Sequence, residues 1–185
     1  MPPRPKLSSK PSDLKTLELL APARNIDIGL AAIDCGADAV YIAGPAFGAR
    51  QAAGNPVEDI ARLCDYAHHF GARIYATVNT LLEKEELPQA RALVQALEGA
   101  GVDALIVQDP AVLSMSDSLI MHASTQCAIR TPEKARGLES LGFGRLVLER
   151  ELSLEQIRAI REAVDAELEF FVHGALCVCY SGQCY

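Results

Sequence analysis

Seven times along the chain a short apolar run is followed by a stretch of helical periodicity, and this alternation restricts the fold more than any single residue does. The runs are Leu17–Ala21, Ala39–Ala43, Arg73–Val78, Ala104–Val107, Leu119–His122, Arg145–Leu148 and Leu168–Val172. Helix starts between them are marked by Asn55-Pro56 with Glu58, Asp109-Pro110, Thr131-Pro132, and Ser153 with Gln156. In each, a short polar side chain can accept a bond from an otherwise unpaired N–H of the first turn. Val57, Ile60, Ala61, Cys64 and Ala67 form one apolar stripe, suited to packing on a sheet. Gly36, Gly71, Gly99 and Gly142 stop helices shortly before the next strand.

Repeated βα units close into a (β/α)8 barrel or lie open as a doubly wound sheet. The residues after the runs decide between them. Pro22–Asn25, Gly44–Arg50, Asn79–Thr80, Gln108–Asp109, His122–Gln126, Arg150–Glu151 and His173 follow the successive runs. Polar groups at so many strand ends converge on one site only when the strands form a ring. The expected fold is therefore α/β, a TIM-like barrel of about seven strands, incomplete because an eighth unit is missing.

Composition bounds what surrounds this barrel. Half of the 185 residues are apolar, enough for one domain with a substantial core, placed at residues 17–185. Residues 1–16 are rich in Pro, Ser and Lys and aperiodic, and are expected to be a disordered tail. No apolar run is long enough to span a membrane and no secretory h-region opens the chain, so the expected location is cytoplasmic. Six cysteines in a reducing compartment point to metal, catalysis or burial rather than to disulfides. The net charge of -7 divides into +3 over residues 1–15 and -10 beyond, which argues mildly against a large nucleic-acid footprint on the body.

Strand alternation assigns candidate inward groups. His122, Ser124 and Gln126 share one face and are expected at the barrel mouth, with Cys127 on the helical side. Tyr75, Thr77 and Asn79 share a face, Glu18 stands near the first strand, and Glu169, Phe171 and His173 point one way. Such a polar interior suggests a polar ligand. An inward Glu169 needs a cationic or hydrogen-bonding partner, and Arg24, Arg50 and Arg150 are candidates. GPAFGAR (Gly44 to Arg50) can cradle an anion through backbone N–H groups, although plain turn chemistry accounts for its glycines equally well. His68, His69 and Cys64 are better explained as surface and core of one amphipathic helix than as metal ligands, and Cys35 is expected to be buried.

Cys177, Cys179 and Cys184 lie together after the last run. Their C-x-C-x4-C spacing matches neither ferredoxin nor zinc-finger patterns, so spacing alone leaves metal ligation and incidental thiols equally open. The order of residues carries more. Glu169, Phe171, Gly174, Ala175, Leu176, Cys177, Gly182 and Cys184 follow E-x-F-x-x-G-[SA]-[LIVM]-C-x4-G-x-C over sixteen consecutive positions. That pattern resembles collagenase-like peptidase family U-32.

The resemblance implies a barrel fold and makes Cys177 and Cys184 metal ligands, with Cys179 at a variable position. GPAFGAR, EDIARLCDYAH, GVDALIVQD, HASTQ and RTPEKA are similar to the branch that forms 5-hydroxycytidine in large-subunit ribosomal RNA. The resemblance then implies oxygen-independent hydroxylation with a 4Fe-4S cluster, prephenate as a small dicarboxylate cosubstrate, and ribosomal RNA as partner. The other cluster cysteines would lie downstream. Arg24, Arg50 and Glu169 are expected to bind the cosubstrate, and His122, Gln126, Arg150 and His173 to bind it or transfer protons. Glu149 departs from the branch, which commonly has alanine there. The alternatives are a collagenase-like peptidase, or an inactive fragment of either enzyme. No H-E-x-x-H or G-x-S-x-G supports proteolysis.

Overall fold

A computed structural model describes residues 17–49, 54–174 and 177–183. Seven strands, β1 (Leu20–Ala23), β2 (Ala39–Ala43), β3 (Arg73–Val78), β4 (Ala104–Val107), β5 (Ile120–Ala123), β6 (Arg145–Val147) and β7 (Glu167–Glu169), pair in sequence order, all parallel. The helices are α1 (Ile26–Asp34), α2 (Val57–His69), α3 (Leu87–Gly99), α4 (Pro132–Ser140) and α5 (Leu154–Ala163). Between β4 and β5 the crossover is a five-residue 3-10 helix, Pro110–Ser114, started by Asp109 accepting from the Ala111 N–H. The sheet curls far enough for Arg145 on β6 to meet Glu18 just before β1. It is a curled α/β half-barrel.

The curl separates two apolar layers. Val40, Ile42, Ile74, Leu105, Leu146 and their helical partners form the main core outside the sheet. Each fully buried aliphatic side chain of this kind contributes roughly 1.5–3 kcal/mol. Inside lies a smaller cluster of Ala39, Tyr75, Ala104 and Ile106, flanked by Leu20 and Tyr41. On α2 the buried stripe is Ile60, Leu63, Cys64 and Ala67, as the periodicity predicts with Leu63 in place of Ala61. Leu63 packs so close to α1 that a Cβ at Gly29 would stand 2.7 Å from its Cδ2, so any larger residue at this crossing forces the buried Leu63 side chain to shift. Thr131 caps α4, and Ser153 with Gln156 forms a full capping box on α5.

Several expectations fail for physical reasons. The first strand begins at Leu20, because Leu17 and Leu19 point to solvent. The last one covers Glu167–Glu169 and stops before Phe170, since its β6 partner is only three residues long and pairs no farther than Val147. Asn55 does not cap α2; its Nδ2 donates to the carbonyls of Arg24 and Ala43, tying the ends of β1 and β2 together. The left-handed glycine after α3 is Gly101, with Gly99 still helical. Cys35 is exposed rather than buried, at the C-cap of α1. The predicted tail at residues 1–16 lies outside the described residues.

Candidate functional site

The C-terminal strand ends surround a cavity of 420 Å3, a size suited to a small molecule. Its polar lining comes from Arg24 after β1, Asn79 after β3, Ser124 and Gln126 after β5, Arg150 after β6 and Glu169 at the end of β7. Hydrogen bonds hold this rim. Asn79 accepts from the Ala49 N–H at 2.9 Å and donates to Ser124 Oγ at 3.3 Å. Ser124 Oγ in turn accepts from the Gln126 N–H, and Gln108 Nε2 donates to the Gln126 carbonyl. The Arg150 guanidinium lies 4.3 Å from the centroid of the Phe171 ring, a cation–π contact that orients it along the wall.

Deeper in the barrel the polar side chains satisfy one another. Arg145 donates from Nη1 to Glu18 at 2.5 Å, and from Nε and Nη2 to Glu167 at 3.0 and 2.6 Å. Arg73 also pairs with Glu18, and the Tyr75 hydroxyl donates to the same carboxylate at 2.9 Å. Glu169 Oε2 stands 3.5 Å from Arg145 Nη1, at best a long and weak contact, and has no other donor among the described residues. Burial pushes its carboxyl up to about 7, against the pull of Arg145. His122 packs edge-on against Tyr75 at 4.8 Å between ring centroids. Burial, reinforced by Arg145 and Arg73, lowers its imidazole to about 3, so it is neutral at every physiological pH.

The loop after β7 is clasped onto the cavity rim through Ser181. Its N–H donates to Glu151 Oε1 at 2.9 Å, its Oγ accepts from the Arg150 N–H at 3.5 Å, and its carbonyl accepts from Arg130 Nη2 at 3.4 Å. Ser181 and Gly182 line the cavity. Gly182 has φ of 82°, and a Cβ there would lie 3.0 Å from that of Ala128, itself left-handed. This is a βα-repeat scaffold with its pocket at the strand ends, closed on one side by a cysteine-bearing loop.

Residues 24–185 match the profile of peptidase family U32. The chain belongs to that family. It is 58% identical over 91% of its length to the 23S rRNA 5-hydroxycytidine C2501 synthase of Escherichia coli, covering 26% of that protein. It is 32% identical over 94% of its length to a protein of Porphyromonas gingivalis named Collagenase, covering 45% of it. The chain thus spans from about a quarter to under half of these curated relatives. The solved U32 peptidase Mk0906 superposes with a TM-score of 0.70 at 24% identity, covering 86% of this chain and 71% of that one, and so shares its fold.

Within this U32 domain the structure sorts the candidates. Arg24, Gln126, Arg150 and Glu169 meet around one cavity. His122 does not reach the mouth; it lies buried beneath, in the inner layer with Tyr75, because the inward-facing position of β5 falls below the strand end. His173 is exposed and is not among the cavity-lining residues described. Arg50 and Cys184 lie outside the described residues. Among the described residues the ion-pair partner of Glu169 is Arg145 rather than Arg24 or Arg150, because Arg145 is its neighbour in phase on β6.

Arg145 and Ser181 escaped the sequence reading. Arg145 opens an apolar run, and only its inward phase with Glu167 and Glu169 signals a buried cation. The polar interior divides accordingly, with Thr77 and Asn79 facing the cavity while Glu18 and Tyr75 serve the internal network.

Among the described residues, no group of three or more His, Cys, Asp or Glu side chains is arranged to hold a metal ion. Cys177 and Cys179 are free, exposed thiols on the clasped loop, the soft donor type that iron–sulfur centres take. Cys177, at the ligand position of the motif, fits as part of a ligand set. Cys64 and Cys127 do not, since burial pushes their thiols up to about 12 and about 11. Cys127 sits in the main core, as expected of the helical side. His68 faces Asp103 at 3.1 Å and His69 the Asp65 carbonyl, so neither is poised with Cys64.

Proposed function

We propose that the full-length protein is an oxygen-independent RNA hydroxylase that forms 5-hydroxycytidine in large-subunit ribosomal RNA, using prephenate as cosubstrate. The observation that carries this reading is the 58% identity to the synthase of Escherichia coli over 91% of the chain. A dicarboxylate suits a pocket into which Arg24 and Arg150 both project, because a guanidinium pairs a carboxylate bidentately. Arg50, which lies outside the described residues, is assigned to the same cosubstrate by the resemblance alone, and Gln126 of the cavity lining adds a polar contact. His173, exposed on the approach to the loop, is assigned to proton exchange with solvent.

Cys177 and Cys184 would supply part of the ligand set of a 4Fe-4S cluster, the rest coming from regions of the relatives that this chain does not span. When bound, the cluster supplies one-electron redox chemistry. The clasp on Ser181 holds the loop that carries the exposed thiol of Cys177. The net charge of -7 makes long-range attraction of RNA weak here, so most phosphate contacts are assigned to those other regions. The location is the cytoplasm, where the ribosome is; among the described residues no helix is long and apolar enough to cross a membrane.

The test is mass spectrometry of ribosomal RNA from a deletion strain complemented with wild-type or Cys177→Ala full-length protein. Hydroxycytidine is expected to disappear on deletion, return with wild type and stay absent with Cys177→Ala. Unchanged hydroxycytidine in the deletion strain overturns the reading. The peptidase alternative requires peptide cleavage by pure protein that Cys177→Ala abolishes. The core thiols Cys64 and Cys127 offer no nucleophile for it, being buried and protonated.

A further inference from the structure

The charges beneath the cavity do not balance. Two guanidiniums, Arg73 and Arg145, face three carboxylates, Glu18, Glu167 and Glu169. Glu18 takes contacts from both guanidiniums and from the Tyr75 hydroxyl. Glu167 receives two donors from Arg145 and is 55% exposed, so water supports its charge as well. Glu169 is 17% exposed, faces the cavity, and has an Oε2 with no donor beyond the long contact to Arg145. Among the described residues its other charged neighbours on the cavity side are Arg24 and Arg150. A buried carboxylate that lacks a close donor is more costly than a neutral acid, so the proton resides on Glu169.

We infer that Glu169 is the general acid of this cavity, donating its proton to an oxygen of the small carboxylic acid bound there. This rests on the proposed function for the identity of that acid, and on the geometry alone for the protonated carboxyl. Arg24, Arg150 and Glu169 line one cavity, so a ligand whose carboxylates pair with the two arginines keeps its carbonyl, hydroxyl or leaving oxygen in the space that Glu169 borders. In the step the O–H bond of Glu169 breaks, its electron pair stays on Glu169, and a new O–H bond forms on the ligand oxygen as negative charge develops there. The resulting carboxylate stands 3.5 Å from Arg145, close enough for the guanidinium to stabilise it. Water entering the open cavity returns the proton after release. The raised affinity of this carboxyl for its proton, about 7, matches a group that must be protonated at rest and able to ionise in turn.

Two measurements on the full-length holoenzyme decide the matter. Infrared difference spectra of wild type against Glu169→Gln should contain a protonated-carboxyl band at about pH 6 that fades with a midpoint near 7. Absence of that band, or its persistence in Glu169→Gln, overturns the inference whether or not the protein hydroxylates RNA. In turnover with prephenate and RNA, Glu169→Gln should lower kcat by about 100-fold with KM for prephenate within about threefold, and abolish the fall in rate above about pH 7. Glu169→Asp keeps a titrating carboxyl and should restore that pH limb at reduced rate, which also covers a Gln variant that fails to fold. A wild-type limb in Glu169→Gln, or a change in KM alone, assigns Glu169 to positioning and overturns the general-acid role. If wild type makes no hydroxycytidine, the hydroxylase reading fails while the infrared result still decides the carboxyl.

Discussion

Arg130 donates from Nε to Glu149 at 2.6 Å, and its Nη2 reaches the Ser181 carbonyl at 3.4 Å, so one guanidinium joins a buried carboxylate after β6 to the loop that carries the cysteines. Arg130 is the cation that pairs with this carboxylate. Arg130→Met leaves the Glu149 carboxylate, 1% exposed, without its cation. The melting temperature of the chain should fall by roughly 5–10 °C. The double variant Arg130→Met with Glu149→Ala should recover most of that loss. Equal melting of the single variant and wild type would show that the pair does not hold the loop.

Arg145 is the hinge pin of the barrel interior, with a side chain only 8% exposed and carboxylates from β7 and from the segment before β1 converging on it. Arg145→Met removes the cation and leaves those carboxylates uncompensated, at a cost of about 3–5 kcal/mol. Urea unfolding at neutral pH should report this as a lower midpoint. An unshifted midpoint would mean that water compensates the interior.

His122 and Glu169 act on stability with opposite sign as pH changes. Folding lowers His122 from 6.5 to about 3, so between these values the unfolded chain binds a proton that the native one does not, and stability falls with falling pH. Folding raises Glu169 from 4.5 to about 7, so in that window the native state holds the extra proton and stability falls with rising pH. Where the windows overlap, from 4.5 to 6.5, the two slopes oppose each other. Glu169→Gln leaves the histidine alone, and between about pH 6.5 and pH 5 it should lose about 1–2 kcal/mol more than wild type in urea titrations. Parallel profiles for the two proteins would refute the opposition.

Gly182 is held at a φ of 82° with its α-carbon against Ala128. Gly182→Ala combines left-handed strain with a contact that must yield, costing about 1–2 kcal/mol confined to the loop. Hydrogen exchange over residues 177–183 should accelerate about tenfold while the barrel amides keep their protection. Unchanged exchange in the loop would show that the clasp tolerates a methyl group there.

The interior strands were legible because parallel strands buried on both faces read as continuous apolar runs, and β2 through β5 fall within one residue of them. The two outermost strands were displaced, since only one neighbour pairs with each and local hydrophobicity does not mark where that pairing ends. Asn55 carried a sound local cap signal and lost it to the Arg24 and Ala43 carbonyls, which the fold brings within 3.1 Å of its amide. Within the site, strand phase was enough to turn Glu169 inward and to put Ser124 and Gln126 on one cavity.

What the sequence by itself determined is what neighbours along the chain control: the repeat of strand and helix, the caps at Thr131 and Ser153, and the spacing of the U32 motif. These depend on backbone sterics and hydrogen bonds a few residues long. Only the tertiary structure decided which charges meet. Arg145 finds Glu18 at a separation of 127 residues, and the same convergence leaves Glu169 with only a distant share of that guanidinium and His122 without a proton. Burial and Coulomb interaction depend on distance through space, and no local pattern encodes it.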